Sequence, residues 1–265
     1  MDVNNLFGVQ GKIVLVTGGA KGIGRMIATG FVANGAKVYI TGRDAPACHA
    51  AAKDLTSLAR HGGSAHALPA NLQHLAECES LVRQLAEREP AGLHVLVNNA
   101  GAAWGAPFDE HPDAAWTKLL TLNLHRAFTL SQLSLPLLER AGTSEDPARI
   151  IHIGSIDGVR VPTMANFAYS ASKAGLHHLS RHMARDLGAR NITSNVLACG
   201  PFRTKMMRAT LDAVGDALAG EIPLGRIGRD EDVAGSAIFL SSKAGAYLNG
   251  ALIRVDGGAS LVAKI

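Results

Sequence analysis

KIVLVTGGAKGIGRMIATGFVANG, residues 12–35, decides the fold. It opens as a short β-rich run that ends on glycines, and from Gly22 apolar residues return at helical spacing until Gly35 closes the segment. VYIT (38–41) then supplies a second strand, completing a strand–helix–strand unit. The alternation continues outward. Helical stretches run from about Pro46 to Arg60 and from about Leu75 to Glu89, with a short strand at Ala65 to Leu68 between them and the strand LHVLV (93–97) after them. A long helical segment from Asp113 to about Glu139, interrupted or ended around Pro136, precedes RIIHIG (149–154). A helix from about Ala168 to Gly188, the strand ITSNVL (192–197), a helix from Asp230 to about Ser242 and ALIRV (251–255) complete the chain. Apolar strands alternating with helices predict an α/β fold: a doubly wound (Rossmann) parallel sheet of about seven strands with helices on both faces. No linker, repeat or composition break divides it, so residues 1–265 form a single domain. Ligands of such sheets sit beyond the carboxyl ends of the strands, so the segments after Val16, Ile40, Leu68, Val97, Ile153 and Leu197 converge on one crevice.

Bulk composition narrows the function. The chain has 265 residues, 47% of them hydrophobic, enough to bury a core without staples. Cys48, Cys78 and Cys199 are odd in number, far apart and outside any metal-ligand spacing, which predicts reduced thiols and no metal. The N-terminal MDVNNLFGVQGK lacks a secretion signal's basic and apolar regions, and no apolar run reaches membrane-spanning length. A cytoplasmic protein without membrane contact is expected. A formal charge of +4 is spread along the chain with no basic run, which argues against nucleic acid and leaves a modest preference for anionic ligands. The eleven histidines are scattered, with no HExxH among them.

TGGAKGIG (17–24) lies between the first strand and the first helix, where Gly18, Gly22 and Gly24 permit a tight turn and let backbone amides approach a pyrophosphate. The spacing is T-G-x-x-x-G-x-G, and a purely structural turn is the alternative. The second strand ends TGRD, with Gly42 where an NAD-selecting carboxylate would stand and Arg43 after it. Arg43, with Lys21 as a second cation, suits a 2′-phosphate and so NADP(H); an Arg43 solvated or paired with Asp44 is the other possibility. YSASK (169–173) sets a phenol and an ammonium four residues apart, on one face of a helix. A free tyrosine titrates near 10, so proton transfer near neutrality requires a neighbour that favours the phenolate. Taken alone, the pentapeptide is equally an ordinary amphipathic helix.

TGGAKGIG, NNAG (98–101), Asn123 in LNL, Ser155 in IGS, YSASK and VDGG (255–258) occur together in one order. In this the chain resembles the short-chain dehydrogenase/reductase family over essentially its whole length. Within the family it is similar to bacterial NADPH-dependent 3-oxoacyl-[acyl-carrier-protein] reductases, and the stretch NNAGAAWGAPFDEHPDAAW to the branch linked to rhamnolipid synthesis. The resemblance implies a catalytic set of Asn123, Ser155, Tyr169 and Lys173. It implies cofactor contacts from Thr17, Gly18, Lys21, Gly22, Ile23, Gly24, Arg43, Asn71, Asn98, Ala100, Gly101, Tyr169, Lys173, Gly200, Phe202 and Thr204. Ser155 hydrogen-bonds the substrate carbonyl, Tyr169 delivers the proton, Lys173 holds the ribose and favours the tyrosinate, and Asn123 keeps a water in the relay. Two positions depart from the family: Asn71 stands where an aspartate is common, and Cys199 replaces the proline before Gly200. A buried, unreactive Cys199 is expected.

Substrate contacts are expected from Ser155, Tyr169 and residues 157–167, and from Met206 and Met207 in an apolar lid at about 201–225; an ordinary packed helix is the alternative there. Arg160, Arg190, Arg203, Lys205 and Arg208 are candidates for a phosphopantetheine arm or an acyl carrier protein, with solvated charges as the simpler account of most. The implied function is reduction of a 3-oxoacyl thioester, in a homotetramer as is usual in the family. Reduction or oxidation of a small alcohol, sugar or steroid is the alternative, and a non-catalytic NADP-binding protein a third possibility.

Overall fold

A computed structural model describes residues 2–204, 207, 215 and 217–262. Seven strands, β1 (Ile13–Thr17), β2 (Lys37–Thr41), β3 (Ser64–Ala67), β4 (Val95–Asn98), β5 (Ala148–Ser155), β6 (Ile192–Cys199) and β7 (Leu252–Val255), form one sheet in the order β3-β2-β1-β4-β5-β6-β7. Every pairing is parallel, as the continuous apolar runs predicted. The order reverses between β1 and β4, and that switch point opens the crevice.

The helices are α1 (Val3–Phe7), α2 (Gly22–Ala33), α3 (Ala45–Ser57), α4 (Leu75–Arg88), α5 (Asp113–Leu120), α6 (Arg126–Leu133), α7 (Leu135–Ala141), α8 (Phe167–Leu187) and α9 (Asp230–Ser241). Strand alternation sorts them into two layers. Val14, Val16, Val38, Ile40, Val97 and Ile151 face Ile27 and Phe31 of α2, Leu55 of α3 and Val233 and Leu240 of α9. Leu15, Tyr39, Leu96 and Ile150 point the other way, to Leu81 and Leu85 of α4, Leu130 of α6, Leu137 of α7 and Met183 of α8. The two clusters make a single α/β domain with both sheet faces covered. Among the described residues no helix is long and apolar enough to cross a membrane, and no group of three or more His, Cys, Asp or Glu side chains is placed to hold a metal ion.

The expected elements are all present, including the interruption near Pro136, with two additions. The long segment from Asp113 breaks at Ser134, and Pro136 lies in the first turn of α7, where a missing N–H costs no helical bond. Between α5 and α6 the chain also widens into a π-turn, Thr121–His125, which the apolar periodicity did not signal. The short α1 was also unexpected; Asp2 caps it by accepting from Asn5 N at 3.0 Å.

Candidate active site

Three elements carry the expected catalytic set to the switch point. Ser155 is the last residue of β5, paired with Cys199 of β6. Tyr169 stands in the first turn of α8 and Lys173 one turn further, on a stripe continued by Leu176, Met183 and Leu187, all four buried. Asn123 sits inside the π-turn, 2% exposed. Its Oδ1 accepts from Ala102 N at 2.9 Å, and its Nδ2 donates to Ala102 O at 2.9 Å and to Ser172 Oγ at 3.0 Å. Ser172 Oγ in turn donates to the Tyr169 carbonyl at 2.7 Å. The side chain of Asn123 thus ties the loop after NNAG to the first turn of α8, and both its amide protons are committed.

Electrostatics at the centre are set by burial. Tyr169 is pushed up to about 12, chiefly by desolvation; a hydrogen bond with Ser155 pulls it down, and the charges of Asp157 and Cys199 add to the rise. Lys173 is pushed down to about 8, again by desolvation. Its Nζ donates to the Ile153 carbonyl at 2.7 Å and lies 5.7 Å from the Tyr169 ring centroid. The ammonium is directed at the Ile153 carbonyl, and burial is the largest influence on the Tyr169 phenol. Ser155 Oγ accepts from Asp157 N at 3.1 Å, which leaves its own proton for Tyr169 or a substrate oxygen.

The glycine loop is shaped for close approach. Gly18 has φ +64°, and a Cβ at Gly24 would stand 2.4 Å from Asn99 Nδ2 and 2.5 Å from the Gly18 carbonyl, so no side chain fits between these backbones. Thr17 Oγ1 donates to the Val97 carbonyl at 3.2 Å and accepts from Asn99 N and Ala100 N at 2.8 Å each, joining the loops after β1 and β4. A side chain at Gly22 would come within 3.4 Å of Thr204 Cγ2, so the loop after β6 closes the same crevice. Lys21 and Arg43 are exposed, and neither forms an ion pair among the described residues. Asp44 does not neutralise Arg43; it caps α3 by accepting from Ala47 N at 3.0 Å. A cradle of backbone amides beside two unpaired cations fits a pyrophosphate and a 2′-phosphate.

Several of the residues expected at the cofactor also brace the fold. Asn98 is buried, its Nδ2 donating to Ala127 O and Ser131 Oγ at 3.3 and 3.1 Å, so its side chain faces the core; its neighbour Asn99 joins the glycine loop instead, donating to Thr17 O at 2.7 Å. Phe202 is 1% exposed and packs in the core, leaving only its main chain toward the crevice. Asn71 Oδ1 accepts from Gln73 N at 3.2 Å. Ile23 packs against the core, Ala100 is half-buried, and Gly101 sits beside Asn123 Oδ1. Gly200 lies so near Asp256 that a Cβ would meet its side chain at 2.7 Å. Cys199 is buried and its thiol is pushed up to about 12 by desolvation, as an unreactive side chain requires.

Of the substrate candidates, Met207 N donates to Thr204 O at 3.1 Å, while Met206, Lys205, Arg208 and the lid positions 209–214 and 216 lie outside the described residues. Arg160 donates to the Ala259 carbonyl at 2.8 Å and Arg190 pairs with Glu139 at 2.6 Å; Arg203 is exposed. Asn99, Ser172 and His177 were not anticipated. Ser172 lay inside the YSASK motif and Asn99 inside NNAG, so both were within reach of sequence reasoning.

Known proteins place this geometry. A family model described as enoyl-(acyl carrier protein) reductase matches residues 18–260. The rhamnolipids biosynthesis 3-oxoacyl-[acyl-carrier-protein] reductase of Pseudomonas aeruginosa is 43% identical over 254 residues, covering 95% of this chain and 97% of that protein. The 5-keto-D-gluconate 5-reductase of Escherichia coli K12 is 34% identical over 259 residues, covering 97% and 98%. The solved Pseudomonas aeruginosa RhlG/NADP active-site complex superposes with a TM-score of 0.92 at 42% identity, over 97% of this chain and 99% of that one. With a buried Asn123, Ser155 and Lys173 and a half-buried Tyr169 behind a glycine cradle at the switch point of a parallel sheet, the chain belongs to the short-chain dehydrogenase/reductase family, an oxidoreductase family.

Proposed function

We propose that the protein is an NADPH-dependent ketoreductase that reduces the 3-oxo group of acyl thioesters. The observation that carries this is the 43% identity to a 3-oxoacyl reductase across nearly the full length of both chains, which exceeds the 34% shared with a sugar-acid reductase. NADPH, when bound, supplies the hydride. Lys21 and Arg43 hold its 2′-phosphate, the amides of the loop from Gly18 to Gly24 its pyrophosphate, Asn71 its adenine, and Gly200 and Thr204 the nicotinamide side.

The residues of the chain manage the oxygen of the ketone. Ser155 donates a hydrogen bond to it, stabilising the negative charge that develops there. Tyr169, pushed up to about 12, is a neutral phenol at working pH and therefore holds the proton that the oxygen takes. Lys173, near 8, exchanges a proton close to neutrality and suits the refilling of that phenol. Both amide protons of Asn123 are occupied, so it keeps the relay water through its main chain. The acyl chain passes the loop after β6, where Met207 stands. The protein works in the cytoplasm as a homotetramer, on substrates carried by acyl carrier protein.

Loss of NADPH absorbance with acetoacetyl and longer 3-oxoacyl thioesters, 5-ketogluconate and oxo-steroids tests the assignment. Turnover of the thioesters, abolished in Tyr169→Phe with NADPH affinity retained, is expected. Turnover of only the sugar acid or the steroids would replace the substrate class, and no turnover despite tight NADPH binding would end the enzymatic assignment.

A further inference from the structure

His177 lies one turn beyond Lys173 on α8, 5% exposed, and the transfer of a hydride and a proton does not call for it. Its surroundings are built around it. A Cβ on Gly154 would stand 2.4 Å from His177 Nε2, and a Cβ on Gly158 would stand 2.8 Å from its Cε1. These two glycines bracket the turn that carries Ser155, so its backbone meets the imidazole at both ends, closer than side chains allow. Nε2 faces Ser155 N at 3.4 Å, a long hydrogen bond with the amide donating. The ring also makes a hydrogen-bonding contact with the Gly158 main chain that favours a proton on the imidazole.

One neutral tautomer meets both demands: the proton on Nδ1 and the lone pair on Nε2. Burial, reinforced by the charge of Lys173, pushes His177 down to about 4, so the accepting nitrogen persists at working pH. With the amide of Ser155 anchored, the Oγ–Asp157 N bond at 3.1 Å sets where the hydroxyl points. Removing the imidazole leaves a buried N–H without its partner and takes one tie from the turn, which β5, the packing of Ile156 against Ile222 and Ala259, and the Asp157 carboxylate accepting from Asn166 Nδ2 at 2.9 Å still hold.

We propose that His177 is a positioning residue: it clamps the Ser155–Gly158 turn and so fixes the Ser155 hydroxyl toward the reacting carbonyl, acting through Ser155 and not on the substrate. This rests on the role of Ser155 given above. His177→Leu keeps comparable bulk without either nitrogen, and His177→Gln restores a donor and an acceptor. The expected result for His177→Leu is a fall in kcat of about tenfold or more, with KM and NADPH affinity within about twofold of the wild type. His177→Gln recovers most of that loss. Hydrogen exchange at the Ser155 amide, measured without cofactor or substrate, speeds up in His177→Leu and slows again in His177→Gln.

If His177→Leu does not fold, His177→Ala with added imidazole takes its place, and recovery of kcat by imidazole supports the clamp. Wild-type kcat in His177→Leu, unchanged Ser155 exchange, or a loss that neither glutamine nor imidazole reverses overturns it. A wild-type protein that turned over no ketone would instead refute the proposed function, and the exchange comparison would still decide the clamp.

Discussion

Replacing Lys173 by methionine should remove the reaction and, at the same time, relieve the fold of a pH-dependent penalty. The side chain is 5% exposed and burial holds it from its ordinary 10.5 down to about 8. That preference for the neutral amine is worth about 3 kcal/mol, at roughly 1.4 kcal/mol per factor of ten. The folded-state value lies below the unfolded one, so the unfolded chain binds more protons between pH 8 and 10.5. Stability therefore rises with pH across that window, and the penalty is fully present below pH 8. Linkage then predicts that the wild type gains about 2 kcal/mol between pH 7 and 9.5, a gain that the non-titrating methionine cannot show. Urea unfolding of both proteins at the two pH values isolates it, because the other groups cancel in the difference as long as the m-values agree. The loss of the 2.7 Å bond to the Ile153 carbonyl shifts the methionine curve by a constant and leaves the slope untouched. A difference between the two proteins that stays flat with pH, or that slopes the other way, would refute the account of Lys173 as a desolvated amine. Turnover by the wild type should decline as pH rises through about 8, where the ammonium is lost.

Three further outcomes follow from the site. Arg43→Ala should weaken NADPH binding about tenfold to a hundredfold, the loss of charge-assisted hydrogen bonds, and leave NADH nearly unaffected; titration by cofactor fluorescence checks it, and equal weakening of both would remove Arg43 from the 2′-phosphate. Gly24→Ala puts a methyl 2.4 Å from Asn99 Nδ2 and 2.5 Å from the Gly18 carbonyl, and should cost about 1–3 kcal/mol of stability together with cofactor affinity, read by thermal melts with and without NADPH. Cys199, pushed up to about 12, exposes a thiolate fraction of only ~10⁻⁴ at pH 8, so iodoacetamide should leave it unlabelled in the native protein; rapid alkylation would contradict its burial.

Local patterns were legible where chemistry is local. The β-rich runs, the helical spacing and the glycine turn required nothing beyond neighbours in the chain, and their alternation implied a parallel sheet, whose strand order only the structure supplies. The π-turn at Thr121–His125 was hidden, because the Asn123 amide that occupies it bonds to Ala102 and Ser172, partners 21 and 49 residues away. Asn98 and Asn99 are indistinguishable as letters. The pleat of β4 sends Asn98 into the core toward Ser131, and Asn99, just past the strand, turns onto the glycine loop.

The sequence by itself determined the doubly wound parallel sheet and the crevice beyond the carboxyl ends of its strands. The electrostatic state of the residues that meet there was left to the tertiary structure. YSASK put a lysine near a tyrosine, and what spacing could not supply is desolvation, which raises Tyr169 to about 12 and lowers Lys173 to about 8. Burial depends on everything packed around a group, and no spacing along the chain records that. His177 shows the same limit from the other side: one of eleven scattered histidines in the sequence, it meets Gly154 and Gly158 only because α8 crosses the end of β5.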